Sequence, residues 1–189
     1  MSENSAGETE VLRHVLHLIG GIAISYSRIE RYWFFIFKSL LPSLTDSQAK
    51  AIFHQFDSSA MQRSLVVAVA QATYKLRSPE AIRIGQLNAL SQDVAGSRNA
   101  AIHMQLNVFM TKGGIEFEVG EGSHPTKKNR LAGKEVESQL LSVASTIRTL
   151  EDHLGKFLRS ISPAGQYPPD LREELIQLEF QPLTVGATP

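Results

Sequence analysis

Residues 11–41, VLRHVLHLIGGIAISYSRIERYWFFIFKSLL, decide the fold. Apolar side chains recur in this stretch every three or four residues, which is the spacing of one face of an α-helix. A helix of this length would be roughly 45 Å long at the α-helical rise per residue. Pro42 follows directly and ends the helical pattern. Because a long amphipathic helix needs other elements to cover its apolar side, the stretch predicts a helical bundle.

Capping signals and helical periodicity predict four further helices. They are expected to run from Thr45 or Ser47 to Phe56, from Ser58 or Ser59 to about Leu76, from Ser78 to about Met104, and from about Lys134 to Ser160. Before the last helix, branched and aromatic residues over 105–110 and 115–119 flank a Gly113-Gly114 turn, which predicts a β-hairpin. The predicted fold is an all-α, up-down bundle of four to five helices with this small hairpin inserted before the last long helix.

The predicted organisation has three parts. Residues 1–9 are polar and are expected to be disordered, residues 10–160 form the bundle, and residues 161–189 form an extended tail that is rich in proline. Within the tail, the pattern over 170–179 favours a short helix that docks on the body or on a partner. The aromatic run over 32–37 surrounds its helix, so rings left outside the core are expected to pack against the tail or a second subunit.

Composition restricts the function classes. The 189 residues include 19 basic and 19 acidic side chains, so the net charge is zero and any RNA contact must come from a local patch. There is no cysteine, which excludes disulfides, thiol catalysis and thiolate metal sites. The first ten residues lack a basic region followed by an apolar one, and no uncharged run approaches the ~20 residues of a membrane helix. We therefore expect a cytoplasmic protein without a membrane segment.

The stretch Ser97-Arg98-Asn99-Ala100-Ala101-Ile102-His103 is the candidate catalytic site. An arginine can hold a phosphate with two hydrogen bonds, and a histidine can move a proton near neutral pH, so the pair suits RNA cleavage without a metal. Asn99 lies four residues before His103 and shares its helix face. Five residues correspond to a rotation of about 140°, so Arg98 and His103 project in different directions from a helix.

The same spacing occurs a second time, from Arg148 to His153, where Glu151 and Asp152 indicate a solvated helix surface. The small neighbours of Arg98, the adjacent asparagine and the position before a hairpin favour the first match. The alternative for this match is a surface arginine and a histidine that interacts with the negative end of the helix dipole.

Arg98-Asn99 and His103 near the end of a bundle helix, after a long first helix carrying Ser27-Arg28-Ile29-Glu30, resemble the HEPN superfamily. These helical-bundle domains occur in RNases, toxin–antitoxin systems and antiviral defence, and the likeness in layout covers roughly residues 10–160. The resemblance implies a homodimer whose paired motifs meet in a cleft and cleave RNA without a metal or other cofactor. A stress or defence effector of this kind would have RNA as substrate and a protein partner such as an antitoxin.

The resemblance also implies roles for three residues. His103 would act as general base or acid at the 2′-hydroxyl or the leaving 5′-oxygen. Arg98 would stabilise charge on the non-bridging phosphate oxygens, and Asn99 would orient one of these groups.

Two weaker signals remain. Lys127, Lys128 and Arg130 form a dense basic cluster that is a candidate for RNA binding, with a solvated loop as the alternative. His14 and His17 have a spacing that suits a metal, but no third ligand is evident, so we expect a polar helix edge and no metal site.

Two other functions stay open. The neutral charge and the apolar first helix favour a catalytically inactive HEPN-like module for dimerisation or protein binding. In a purely structural bundle, Arg98 and His103 would do no more than cap a helix.

Overall fold

A computed structural model describes the backbone of residues 3–104, 106–111, 114–120, 131 and 135–161. Within this part the chain forms five α-helices and two β-strands, which confirms the predicted all-α helical bundle. The elements are α1 (Glu3–Leu40), α2 (Asp46–Phe53), α3 (Ser59–Tyr74), α4 (Pro79–Ile102), β1 (Leu106–Thr111), β2 (Gly114–Val119) and α5 (Val136–Ile161).

The longest helices, α1 and α5, run parallel. His14 Nε2 lies 3.1 Å from Glu137 Oε1, and these residues are 123 positions apart. The same separation recurs along the pair, between Arg28 and Glu151 and between Tyr32 and Gly155. Because the register is constant over 18 residues of α1, the two helices stay in contact over about 27 Å.

Helix α4 packs antiparallel to α1 and contacts both α1 and α5. Trp33 donates its indole N–H to Ser91 Oγ at 3.1 Å, and Ser91 in turn donates to the carbonyl of Leu87 at 2.8 Å. Seven residues earlier in α1, the ring of Tyr26 lies against Arg98, which is seven residues later in α4. The core that these helices enclose contains fully buried Ile29, Ile36, Phe37, Ile84, Leu87, Leu140, Ile147, Leu150 and Leu154.

Local signals explain where the inner helices begin. Thr45 and Gln48 form a capping box at α2, Ser58 accepts from the Met61 N–H at α3, and Ser78 followed by Pro79 begins α4. These starts confirm three of the predicted caps. Helix α3 ends before Lys75, whose φ of 64° no helix can continue.

The short helix α2 covers part of the aromatic run of α1. Phe34 packs edge-on against Phe53 with ring centroids 5.5 Å apart, and it also stacks on His54. The ring that lies next to it in sequence, Phe35, is 45% exposed. The tail to which the sequence analysis assigned such rings lies outside the described residues.

Strands β1 and β2 lie between α4 and α5 along the chain. They pair antiparallel, with Leu106 opposite Val119 and Thr111 opposite Gly114. Strand β2 approaches α1 and α5. In the structure α1 begins at Glu3, whereas the sequence pattern places the start of this helix at Val11. No proline interrupts residues 3–10, so the helix can extend there although Gly7 disfavours it. Along the described helices, none is both long and apolar enough to cross a membrane.

The hydrogen bond between Trp33 and Ser91 provides a test of this packing. Ser91→Ala should lower the free energy of unfolding by about 1–3 kcal/mol, because it leaves a buried indole N–H without a partner. The measurement is urea denaturation. Ser64→Ala is the matched control: Ser64 is exposed and bonds its own helix in the same way, so its replacement should change stability by less than about 0.5 kcal/mol. Equal effects of the two substitutions would contradict this packing.

The half-buried His153 on α5 predicts a pH dependence of stability. Burial lowers its pKa below the ordinary value of 6.5, and this outweighs the neighbouring Asp152, which raises it. The unfolded chain therefore binds this proton at a higher pH than the folded chain. The contribution of His153 to the free energy of unfolding is therefore fully present above pH 6.5, and it is lost as the pH falls through the pKa of the folded chain.

Urea midpoints measured from about pH 7.5 to about pH 5 should fall less steeply in His153→Gln than in the wild type. His17→Gln replaces an exposed histidine and is the control for loss of an imidazole elsewhere. If the urea midpoint falls with pH as steeply in His153→Gln as in the wild type, His153 is not the source of the pH dependence.

Candidate functional site

The C-terminal end of α4 positions the candidate residues. Helix α4 ends at Ile102, and the backbone N–H of His103 donates to the carbonyl of Asn99 at 3.0 Å. His103 is therefore the first residue beyond the helix, with an exposed side chain at the negative end of the helix dipole. Ala101 is fully buried and anchors this last turn in the core.

Arg98 is half-buried, and its guanidinium is held from two sides. Nη1 donates to Asn99 Oδ1 at 2.8 Å, and Cζ lies 5.2 Å from the centroid of the Tyr26 ring. This distance is within the range of a cation–π interaction. The buried Nε has no hydrogen-bond partner among the described residues. Because this atom is covered, an acceptor from outside reaches it only if the Arg98 side chain moves.

A second guanidinium completes this polar cluster. Arg63 on α3 is 3% exposed, donates from Nε to Asn88 Oδ1 at 3.3 Å, and hydrogen-bonds the side chain of Tyr26. Nearby, Ser59 donates to Glu30 Oε1 at 2.6 Å and joins α3 to α1. A buried charge needs such partners, so Arg63 fixes the phenol over which Arg98 lies.

Burial raises the pKa of the Tyr26 phenol above its ordinary value of 10.0. Arg63 and Arg98 act in the opposite direction, since a nearby positive charge favours the phenolate, but burial outweighs them. Tyr26 is therefore a neutral hydrogen-bonding group at physiological pH.

Arg63 is a site residue that the sequence motifs did not identify. The sequence feature that could have identified Arg63 is its helical spacing with Val66 and Ala70. The three residues share one face of α3 and are all buried. A charged residue within an apolar stripe indicates a buried polar contact. The identity of its partners depends on α1 and α4, which lie elsewhere in the sequence.

The structure brings together Arg98 and Asn99 but not the side chains of Arg98 and His103. The amide of Asn99 contacts the guanidinium, and Asn99 is linked to His103 through the backbone alone. The imidazole of His103 makes no hydrogen bond or ion pair with any residue in the described part. Within one chain the two proposed catalytic groups therefore point to different sides of the helix end.

The other candidates lie apart from this site. Lys127, Lys128 and Arg130 fall outside the described residues. In the second match on α5, Arg148 is exposed and His153 is half-buried near Arg83 of α4. His14 pairs with Glu137, and the described residues contain no group of three histidine or acidic side chains that would hold a metal ion.

Comparison of the chain with protein-family models, with curated proteins and with solved structures finds no match in any of the three. The site must therefore be interpreted from its own geometry.

The contact between Tyr26 and Arg98 is measurable by a double-mutant cycle. Tyr26→Leu combined with Arg98→Met should show a coupling energy of about 0.5–2 kcal/mol in the free energy of unfolding, the range of a partly desolvated cation–π pair. A control cycle with Arg148→Met, an exposed arginine on α5, should give a coupling within about 0.5 kcal/mol of zero. Additive effects of Tyr26→Leu and Arg98→Met would mean that the ring does not hold the guanidinium.

Proposed function

We propose that this chain is a HEPN-like, metal-independent endoribonuclease that acts as a homodimer in the cytoplasm. The observation that carries the proposal is the pairing of Arg98 with Asn99 over Tyr26, one turn before the exposed His103. A positioned guanidinium and an exposed imidazole at the end of one helix are the groups that phosphodiester cleavage needs once two copies bring them to one phosphate. A role as a stress or defence effector, held in check by a protein partner, follows from the HEPN resemblance.

The proposed reaction is an internal transfer at phosphorus. His103 of one copy accepts the proton of the 2′-hydroxyl as its oxygen bonds to the adjacent phosphorus, and the bond from phosphorus to the 5′-oxygen breaks. The leaving 5′-oxygen takes a proton from the second copy's histidine. The products are a 2′,3′-cyclic phosphate and a 5′-hydroxyl. Arg98 stabilises the charge on the non-bridging oxygens, and Asn99 orients Arg98.

Two copies are part of the proposal for a geometric reason. Arg98 is turned towards Tyr26 on α1, whereas His103 extends from the end of α4 into solvent. One phosphodiester can contact both kinds of group when a twofold axis places the His103 of each copy beside the Arg98 of the other. We propose that the hairpin of β1 and β2, inserted before α5, borders this cleft, and that Lys127, Lys128 and Arg130 contact RNA phosphates.

One observation favours a second candidate, a HEPN-like module that binds protein without catalysis. Helix α1 exposes several large apolar side chains, among them Leu16 at 56% and Ile24 at 64%. Exposed apolar surface of this kind suits a protein partner, and the zero net charge gives no general attraction to RNA.

An assay on mixed RNA in the presence of EDTA tests the proposal. Wild-type protein should cleave RNA and leave cyclic phosphate ends, whereas Arg98→Ala and His103→Ala should lose at least about 100-fold in rate, the range of a general base or a charge-stabilising group. Arg98→Lys keeps the charge but not the bidentate geometry and should also lose most of the activity. Mass spectrometry of the fragment ends is the readout.

Arg148→Ala and His17→Ala are the matched controls, because each removes an exposed side chain of the same type elsewhere. Both should retain wild-type activity. Equal cleavage by all variants would identify a contaminating nuclease, and no cleavage by the wild type would favour the protein-binding module.

A further inference from the structure

A pocket of about 210 Å³ lies between α1 and α5, and the proposed cleavage site does not use it. Arg28 follows Tyr26 by two residues, a rotation of about 200°, so the pocket lies on the face of α1 opposite to Arg98. Its lining combines cationic, aromatic and acidic side chains: Arg28, Arg31, Tyr32 and Phe35 from α1, and Glu151 from α5.

The pocket carries excess positive charge. Arg28 Nη1 lies 3.6 Å from Glu151 Oε1, so these two charges largely offset each other. Arg31 is exposed and has no ion pair with any other residue in the described part of the chain. A free guanidinium at the rim of a pocket is suited to an anionic group such as a phosphate.

The pocket also presents an aromatic face. Phe35 is 45% exposed, although its neighbours Phe37 and Trp33 in the same run are buried. The hydroxyl of Tyr32 lies 3.5 Å from the point where a β-carbon would project from Gly155, so this side chain packs against α5. Phe35 is then the ring of the pocket whose surface remains available for stacking by a planar ligand.

Glu151 adds a hydrogen-bond acceptor. Its side chain is 21% exposed and faces the pocket beside the aromatic rings. A carboxylate in such a position accepts from N–H donors at the edge of a planar ligand. Guanine has adjacent ring and exocyclic N–H donors on one edge, and Glu151 can accept from them beside its ion pair with Arg28 because each carboxylate oxygen can accept more than one hydrogen bond.

We propose that this pocket binds a guanine nucleotide. The base stacks on Phe35, Glu151 accepts its N–H groups, and Arg31 contacts the phosphate. The volume suits a base with its phosphate at the rim. The ligand comes either from free nucleotide or from a guanosine within an RNA strand. The proposal does not rest on RNA cleavage, because the pocket lies on the other side of α1.

Calorimetric titration of the full chain with guanosine monophosphate tests the pocket, in parallel with titration by a short uridine oligonucleotide containing one guanosine. Saturable binding of one ligand per chain is expected. Phe35→Leu should weaken it roughly tenfold, the usual effect of removing a stacking ring. Arg31→Gln should weaken it and reduce its dependence on salt. Glu151→Gln should abolish the preference for guanosine over cytidine monophosphate.

Two matched controls come from the chain itself. Phe109→Leu replaces a phenylalanine on β1 that is 46% exposed, and Arg13→Gln replaces another exposed arginine of α1. Neither should alter binding, and circular dichroism should confirm that every variant is folded.

Binding of the mononucleotide alone identifies free nucleotide as the source, and binding of the oligonucleotide alone that Phe35→Leu weakens identifies RNA. Either result supports the pocket. Absence of binding by both ligands at millimolar concentration overturns it, as does equal weakening by Phe35→Leu and Phe109→Leu. Because binding is measured rather than cleavage, a negative nuclease assay leaves this test unaffected.

Discussion

The parallel contact between α1 and α5 is the constraint on which the rest of the structure depends. Contacts that recur at one separation of 123 residues hold the two helices in a fixed register. Two parallel neighbours require the chain to return between them, and α4 makes this return antiparallel to α1. This packing fixes where the C-terminal end of α4 lies beside α1. The end of α4 in turn carries Arg98, Asn99 and His103.

Buried polar groups determine how that end is oriented. Each polar atom removed from water needs a partner, and α1 provides partners on the side that faces α3 and α4. The indole N–H of Trp33 donates to Ser91. The side chain of Tyr26 is hydrogen-bonded by Arg63, which also donates to Asn88. The Tyr26 ring then attracts the guanidinium of Arg98 away from the helix end. Arg98 and His103 of a single chain therefore diverge, and the proposed cleft requires two copies.

How much the sequence could predict depends on the range of each interaction. The caps of α2, α3 and α4 involve residues three apart, so the sequence locates them directly. The contact of Arg98 with Asn99 joins adjacent residues, so the sequence alone could also have predicted it. The sequence did not predict the burial of Arg63 or the contact of Phe34 with Phe53, because the partners lie on other helices and meet them only when the bundle packs. From the sequence, Asn99 was expected to orient either Arg98 or His103, and in the structure its amide contacts Arg98.

The central claim is that the ends of α4 from two copies meet. The chain has no cysteine, so His103→Cys introduces a single thiol that can be linked only to the same position of a second copy. A short bismaleimide should convert this variant to a covalent dimer on a denaturing gel, while Lys50→Cys, at an exposed position of α2, should remain monomeric. A His103→Cys protein that stays monomeric, or that is linked no faster than the control, would contradict the account.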